Sequence, residues 1–249
     1  MNRFAAVAAV LACLLVQRPA LAVEPPSAAC AVPEDITFVG QRLDNVAERL
    51  AHRQPVRIVV LGTASSLGAG LNKPEDAYPA KLQTALARRL PSAAITVTNI
   101  SKLHQSAAEM AARIPHDVLA EKPSLIIWQT GTVDAVSRVD VAEFDHAIEK
   151  GIEELASNHV DVILMDQQYS PHTAGLVNLD PYGEAMRLFA QSHDVLLFPR
   201  HEIMRYWHED GRFGSEQDKA SLLRRAEQTH GCIAELLAWM IETASRTQQ

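Results

Sequence analysis

The segment Val59-Val60-Leu61-Gly62-Thr63-Ala64-Ser65-Ser66-Leu67-Gly68 sets three hydroxyl side chains in a turn between two glycines. The apolar run before it reads as a β-strand, and the residues beyond it lead into a helix. A strand-to-helix turn of this kind lifts a side chain clear of the sheet, and a serine there attacks a carbonyl carbon when a base takes its proton. The position where such a turn mounts its nucleophile holds Ala64. A methyl group cannot attack. Ser65 and Ser66 follow directly, but successive residues on a tight turn point in different directions. Their plain reading is to cap the next helix; a displaced nucleophile at Ser65 is the alternative.

Other residues of chemical interest are fewer. Glu227 and His230 are three apart, which places an acid and a base on one face of a helix. Asp134 reads as a hydrogen-bonding group beside the same turn. Asp166-Gln167-Gln168 ends an apolar run and lines the same cleft, and Trp207 is either a wall of it or core. His201, His208 and His230 have no metal-ligand spacing, and neither a metal nor a cofactor is expected.

The elements that must position these residues alternate along the chain. Apolar strands are expected at Arg57–Leu61, Ala94–Asn99, Ser124–Gln129, Val160–Asp166 and Asp194–Phe198. Helices are expected at 36–52 (Phe38, Leu43, Val46, Leu50), Ala77–Leu90, Ser106–Ala120, Val141–Ser157, Tyr182–Ser192 and Leu222–Ala244. Short continuous apolar runs separated by helical spacers predict parallel strands with crossover helices. The expected fold is a three-layer α/β/α domain with a five-stranded, doubly wound parallel sheet of flavodoxin-like type. Ligands then sit at the C-terminal ends of the strands.

Aromatic residues make up only 5% of the 249-residue chain, so the core is aliphatic. A net charge of -7 with no basic block excludes a nucleic-acid partner. Met1-Asn2-Arg3, the 13-residue apolar run Phe4–Val16 and Ala20-Leu21-Ala22 make residues 1–22 a signal peptide. Thirteen residues reach about 20 Å as a helix, short of a membrane core of about 30 Å. Val10-Leu11-Ala12 before Cys13 is the lipoprotein alternative, opposed by the apolar run continuing past the cysteine. Cleavage after Ala22 removes two arginines and no acid, leaving -9. The organisation is then a leader and helix at 23–52 and the main domain at 53–245. No integral membrane segment remains after cleavage, and the location is periplasmic or secreted. Cys30 and Cys232 remain as an even pair in an oxidising compartment, a disulfide candidate; two separate buried thiols are the alternative.

The order of motifs resembles the SGNH (GDSL-type) hydrolase superfamily over roughly residues 55–240, nearest to secreted bacterial members. Gly62 and Gly68-Ala69-Gly70 carry the first block, and Tyr78-Pro79-Ala80-Lys81-Leu82 follows as in such proteins. Ile127-Trp128-Gln129-Thr130-Gly131-Thr132-Val133-Asp134-Ala135 resembles the third block, Trp-Gln-x-Gly-Thr-Asn-Asp-Ala. The resemblance implies a serine nucleophile, a glycine amide and an asparagine as oxyanion donors, and an Asp-x-x-His pair near the C-terminus. Those positions hold Ala64, Ser101 within Thr98-Asn99-Ile100-Ser101-Lys102, Val133, and Ser221 with Arg224, counted back from Cys232–Ala238. An arginine is no base at neutral pH.

The reading is therefore a degenerate, exported hydrolase-like domain that binds a glycan, an acylated ligand or a protein partner. Its cleft is expected to be lined by Thr63, Ser65 and Ser101, by Thr132, Val133 and Asp134, and by Arg224 at the mouth. The alternative is an active esterase of envelope or extracellular carbohydrate that works through a displaced Ser65/His230 pair with Glu227.

Overall fold

The computed structural model describes residues 23–36, 41–171, 175–214, 216 and 218–246. The expected signal peptide at 1–22, and Phe38 of the expected first helix, lie outside them. Helix α1 is Asp44–Ala51, shorter than its apolar pattern. Strand β1 is Val56–Leu61, helix α2 is Tyr78–Arg89, and strand β2 is Ile95–Asn99. Helix α3, Ala107–Arg113, starts with a capping box between Ser106 and Glu109. It stops short of residue 120, where its sequence pattern ends. Pro115 has no N–H to donate, and the chain instead passes through a wider turn at Ile114–Val118.

Strand β3, Leu125–Gln129, leads into the short helix α4, Thr132–Ser137. Helix α5 is Val141–Ser157, strand β4 is Asp161–Met165, and helix α6 is Asp180–Ser192. Strand β5 is Leu196–Phe198, followed by helix α7, Arg200–Glu209, which the sequence pattern did not reveal. Helix α8 is Lys219–Ala244. It begins three residues earlier than expected because Asp218 accepts from the Ala220 and Ser221 amides and caps it.

All five strands are parallel, in the order β2-β1-β3-β4-β5. The central strands β1, β3 and β4 are buried on both faces, which is why they read as nearly unbroken apolar runs, whereas the edge strand β2 is partly exposed. Ile58, Val60, Ile127, Ile163 and Met165 face a core built with Val46, Leu82, Ile203, Trp207 and Leu237. Val59, Leu61, Ile126, Trp128 and Leu164 face the other layer, with Met110, Phe144, Ile148 and Met186. Trp207, 1% exposed, belongs to the core.

The leader is tied to α8. Cys30 and Cys232 form a disulfide with Cα atoms 4.9 Å apart, within the ordinary range. Ser27 bonds Glu235 through its amide and its hydroxyl, and Arg89 Nη1 donates to the Glu24 carbonyl at 2.9 Å. Among the described residues, no helix is long and apolar enough to cross a membrane.

Candidate functional site

The C-terminal ends of β1, β2 and β3 deliver the turn after β1 and its neighbours to one place. Gly62 starts the turn where no side chain fits. A Cβ there would overlap Ser66 Oγ and lie 2.8 Å from Gln129 Oε1. Gln129, buried at the end of β3, organises the turn. Its Oε1 accepts from the Thr63 amide at 3.0 Å and lies 3.3 Å from Ser65 Oγ and 3.1 Å from Ser66 Oγ. Ser66 Oγ also pairs with Tyr78 Oη at 2.8 Å.

The loop after β2 closes against the same turn. Asn99 Nδ2 donates to the Ser66 carbonyl at 2.7 Å, and the Lys102 amide donates to the Gly62 carbonyl at 3.1 Å. Ser101 is turned back on that loop, its hydroxyl donating to Asn99 Oδ1 at 2.6 Å. Asp134 Oδ1 accepts from the Ala107 amide at 2.9 Å and so joins α4 to α3, the hydrogen-bonding task its sequence position suggests. Burial raises its pKa above the usual carboxylate range. Gly131 adopts φ +91°, and a Cβ there would overlap Gln167 Nε2, so this corner of the site admits glycine alone.

Ala64 is half-buried at the head of the turn, and its carbonyl accepts from the Leu67 and Ala69 amides. Ser65 Oγ accepts a hydrogen bond from Arg200 Nη1 at 2.8 Å. Arg200 is the first residue of α7 and only 1% exposed. Burial pulls its pKa down while Tyr78 and Asp166 oppose that shift; a guanidinium stays charged regardless. Asp166, just past β4, accepts from the His201 amide at 2.9 Å. Burial raises its pKa to about 7, against the pull of that bond and of Arg200.

His230 does not meet the serines. Its Nδ1 accepts from the Tyr78 amide at 3.0 Å. Burial, then the nearby positive charges of Arg200 and Lys81, lower its pKa to about 4. Neither Ser65 nor Ser66 bonds it, and no bond joins it to Glu227 one turn earlier. Arg224 is exposed on α8, where its Nη2 donates to Ser221 Oγ at 2.7 Å. Ser221 is tied to the capping Asp218. These two positions thus sit in the opening turns of a helix rather than on a loop. Thr132 and Val133 are half-buried at the start of α4.

Among the described residues, seven buried side-chain atoms lack a hydrogen-bond partner. Five of them belong to Thr130, Thr132, Asp134 and Arg200, at the C-terminal edge of the sheet. Native interiors leave few such atoms, so their clustering marks this edge as the polar site of the molecule. Among the described residues, no group of three His, Cys, Asp or Glu side chains could hold a metal ion. Sequence reasoning missed Arg200 and the organising role of Gln129. A charge two residues past an apolar strand, at the end where ligands bind, was the available signal for Arg200.

The model of the non-GDSL lipase-like family matches residues 29–247. No curated protein matches the chain. Among solved structures, TesA is 21% identical, with a TM-score of 0.54 over 72% of this chain and 99% of that one. AlinE4, an SGNH-hydrolase family esterase, is 23% identical, with a TM-score of 0.53 over 66% and 85%. A mutant of Axe2, an acetyl-xylooligosaccharide esterase from Geobacillus Stearmophilus, is 17% identical, with a TM-score of 0.54 over 72% and 94%. At these identities the likeness is one of fold.

Proposed function

The chain belongs to the non-GDSL lipase-like family and has the fold of SGNH hydrolases, and from that premise we propose that it binds at the old catalytic edge without hydrolysing what it binds. One observation carries this reading: the Ser65 hydroxyl, next in sequence to the nucleophile position, faces a guanidinium and a carboxamide instead of a base. Neither Arg200 nor Gln129 takes a proton at neutral pH. His230, the one buried histidine among the described residues, spends Nδ1 on the Tyr78 backbone amide.

Each further departure adds to this. Ala64 supplies no attacking atom. Val133 supplies no oxyanion donor, a loss worth about 10²–10³ in rate in serine hydrolases. Loss of a nucleophile or base alone costs about 10⁴–10⁶, and such losses do not add. The unpartnered polar atoms at the sheet edge favour a ligand with hydrogen-bonding groups: a glycan, an acylated polar molecule or a protein surface. Export fits the apolar N-terminal segment and the disulfide.

A p-nitrophenyl acetate assay on the purified protein tests the reading. Hydrolysis no faster than that of a denatured control is the expected result, and Ala64→Ser alone should not raise it, because the new serine would lack a base. Turnover abolished by Ser65→Ala or His230→Ala would establish the displaced pair instead.

A further inference from the structure

We infer that Arg200 is a carboxylate-recognition residue, whose Nε and Nη2 edge receives the carboxylate of a small organic acid or of an acidic sugar. This rests on the binding reading above and names the chemistry of what is bound. The guanidinium is a rigid plane with five N–H donors. Nη1 is spent on Ser65 Oγ at 2.8 Å. Nε and Nη2 are buried and have no hydrogen-bond partner, in a side chain only 1% exposed. Those two nitrogens share one edge of the plane. Their parallel N–H bonds form the fork that matches the two oxygens of a carboxylate.

The protein's own carboxylates at this edge are committed elsewhere. Asp166 Oδ1 accepts from the His201 amide at the start of α7. Asp134 Oδ1 accepts from the Ala107 amide, and its unpartnered Oδ2 does not reach Arg200. The charge balance selects the ligand further. One guanidinium offers a single positive charge and a single free fork, which matches one carboxylate. Thr130, just past β3, and Thr132, at the start of α4, add unpartnered hydroxyls at the same edge of the sheet, suited to the hydroxyls of a sugar acid. Both guanidinium nitrogens are closed to solvent, so a ligand reaches them only as the turn after β1 or a neighbour yields.

The purified protein is titrated with sodium acetate, sodium glucuronate and neutral methyl glucoside at constant ionic strength. Arginine Nε–H signals are followed by proton–nitrogen NMR. One resonance, absent from Arg200→Lys, should move saturably with a carboxylate probe and stay still with methyl glucoside. Arg200→Lys should weaken binding about tenfold or more, because an ammonium lacks the fork. Should that variant fail to fold, contacts of the resonance to Tyr78 and Ser65 protons assign it in the native protein. Saturation by acetate and glucuronate alike makes the carboxylate the recognised group; saturation by glucuronate alone makes it an acidic sugar. No movement with either acid up to about 100 mM, a range covering weak single-group binding, overturns the inference. Binding of methyl glucoside with no response to either acid would overturn it while leaving the binding reading intact. Ester turnover would count against that reading itself.

Discussion

Arg200 Nη1 lies 2.8 Å from Ser65 Oγ, joining the first turn of α7 to the turn after β1 across 135 residues of sequence. The bond puts a buried positive charge beside Ala64, the position where the resemblance to SGNH hydrolases implies a nucleophile. It also gives Ser65 a structural task, that of acceptor to a buried guanidinium.

Ser65→Ala should therefore destabilise the fold. It leaves Nη1 of a buried guanidinium without its acceptor, which costs about 1–3 kcal/mol. The urea midpoint should fall with an unchanged slope. An unchanged midpoint would mean that the bond holds nothing in place.

Asp166 gives a pH signature. Its pKa is raised from 3.8 to about 7 in the fold. The native state therefore holds a proton that the unfolded chain releases, and stability is lost as pH rises from about 4 through about 7. Asp166→Asn keeps an acceptor for the His201 amide and removes the titration. The variant should gain stability relative to the native protein as pH goes from about 4.5 to about 7.5, a window set by those two values. His230, lowered from 6.5 to about 4, acts in the opposite sense: its contribution is lost as pH falls through that interval. Comparing the native protein with Asp166→Asn isolates the aspartate. A difference that does not change with pH would contradict the assignment.

The disulfide closes a separation of 202 residues. In the chain-entropy account a loop of that size stabilises by up to about 5 kcal/mol. The Cys30→Ala/Cys232→Ala variant should unfold at a clearly lower urea concentration, and dithiothreitol should then have no further effect. Equal midpoints for the two proteins would show that the contacts of Ser27 and Glu24 hold the leader unaided.

The sheet was legible because parallel strands covered on both faces must be apolar at every position, as in Leu125–Trp128 and Val162–Met165. The cysteine pair was legible from its parity and from the signal-like apolar N-terminus that suggested an oxidising compartment. Helix α7 was not. Its charged sequence, Arg200-His201-Glu202, hides that Arg200, Ile203 and Trp207 all turn inward. The early start of α8 was hidden too, since Asp218 acts through a cap and not through apolar spacing. Arg200 was the largest omission. A single arginine after a strand reads as surface, and only the packing of α7 over the turn after β1 buries it. Ala64 and Val133 were read in sequence as replacements at the positions where the resemblance implies catalytic groups. They did not reveal that another charged group stands beside them.

Whether any serine in this protein is activated, whatever the substrate, can be measured directly. The purified protein is incubated with an alkyl fluorophosphonate, which modifies serines made nucleophilic by a neighbouring base, and its intact mass is measured. The mass should stay unchanged, because Ser65 faces Arg200 and Gln129 rather than a histidine. A stoichiometric phosphonate adduct on Ser65, lost in His230→Ala, would contradict the binding reading and identify a working hydrolase.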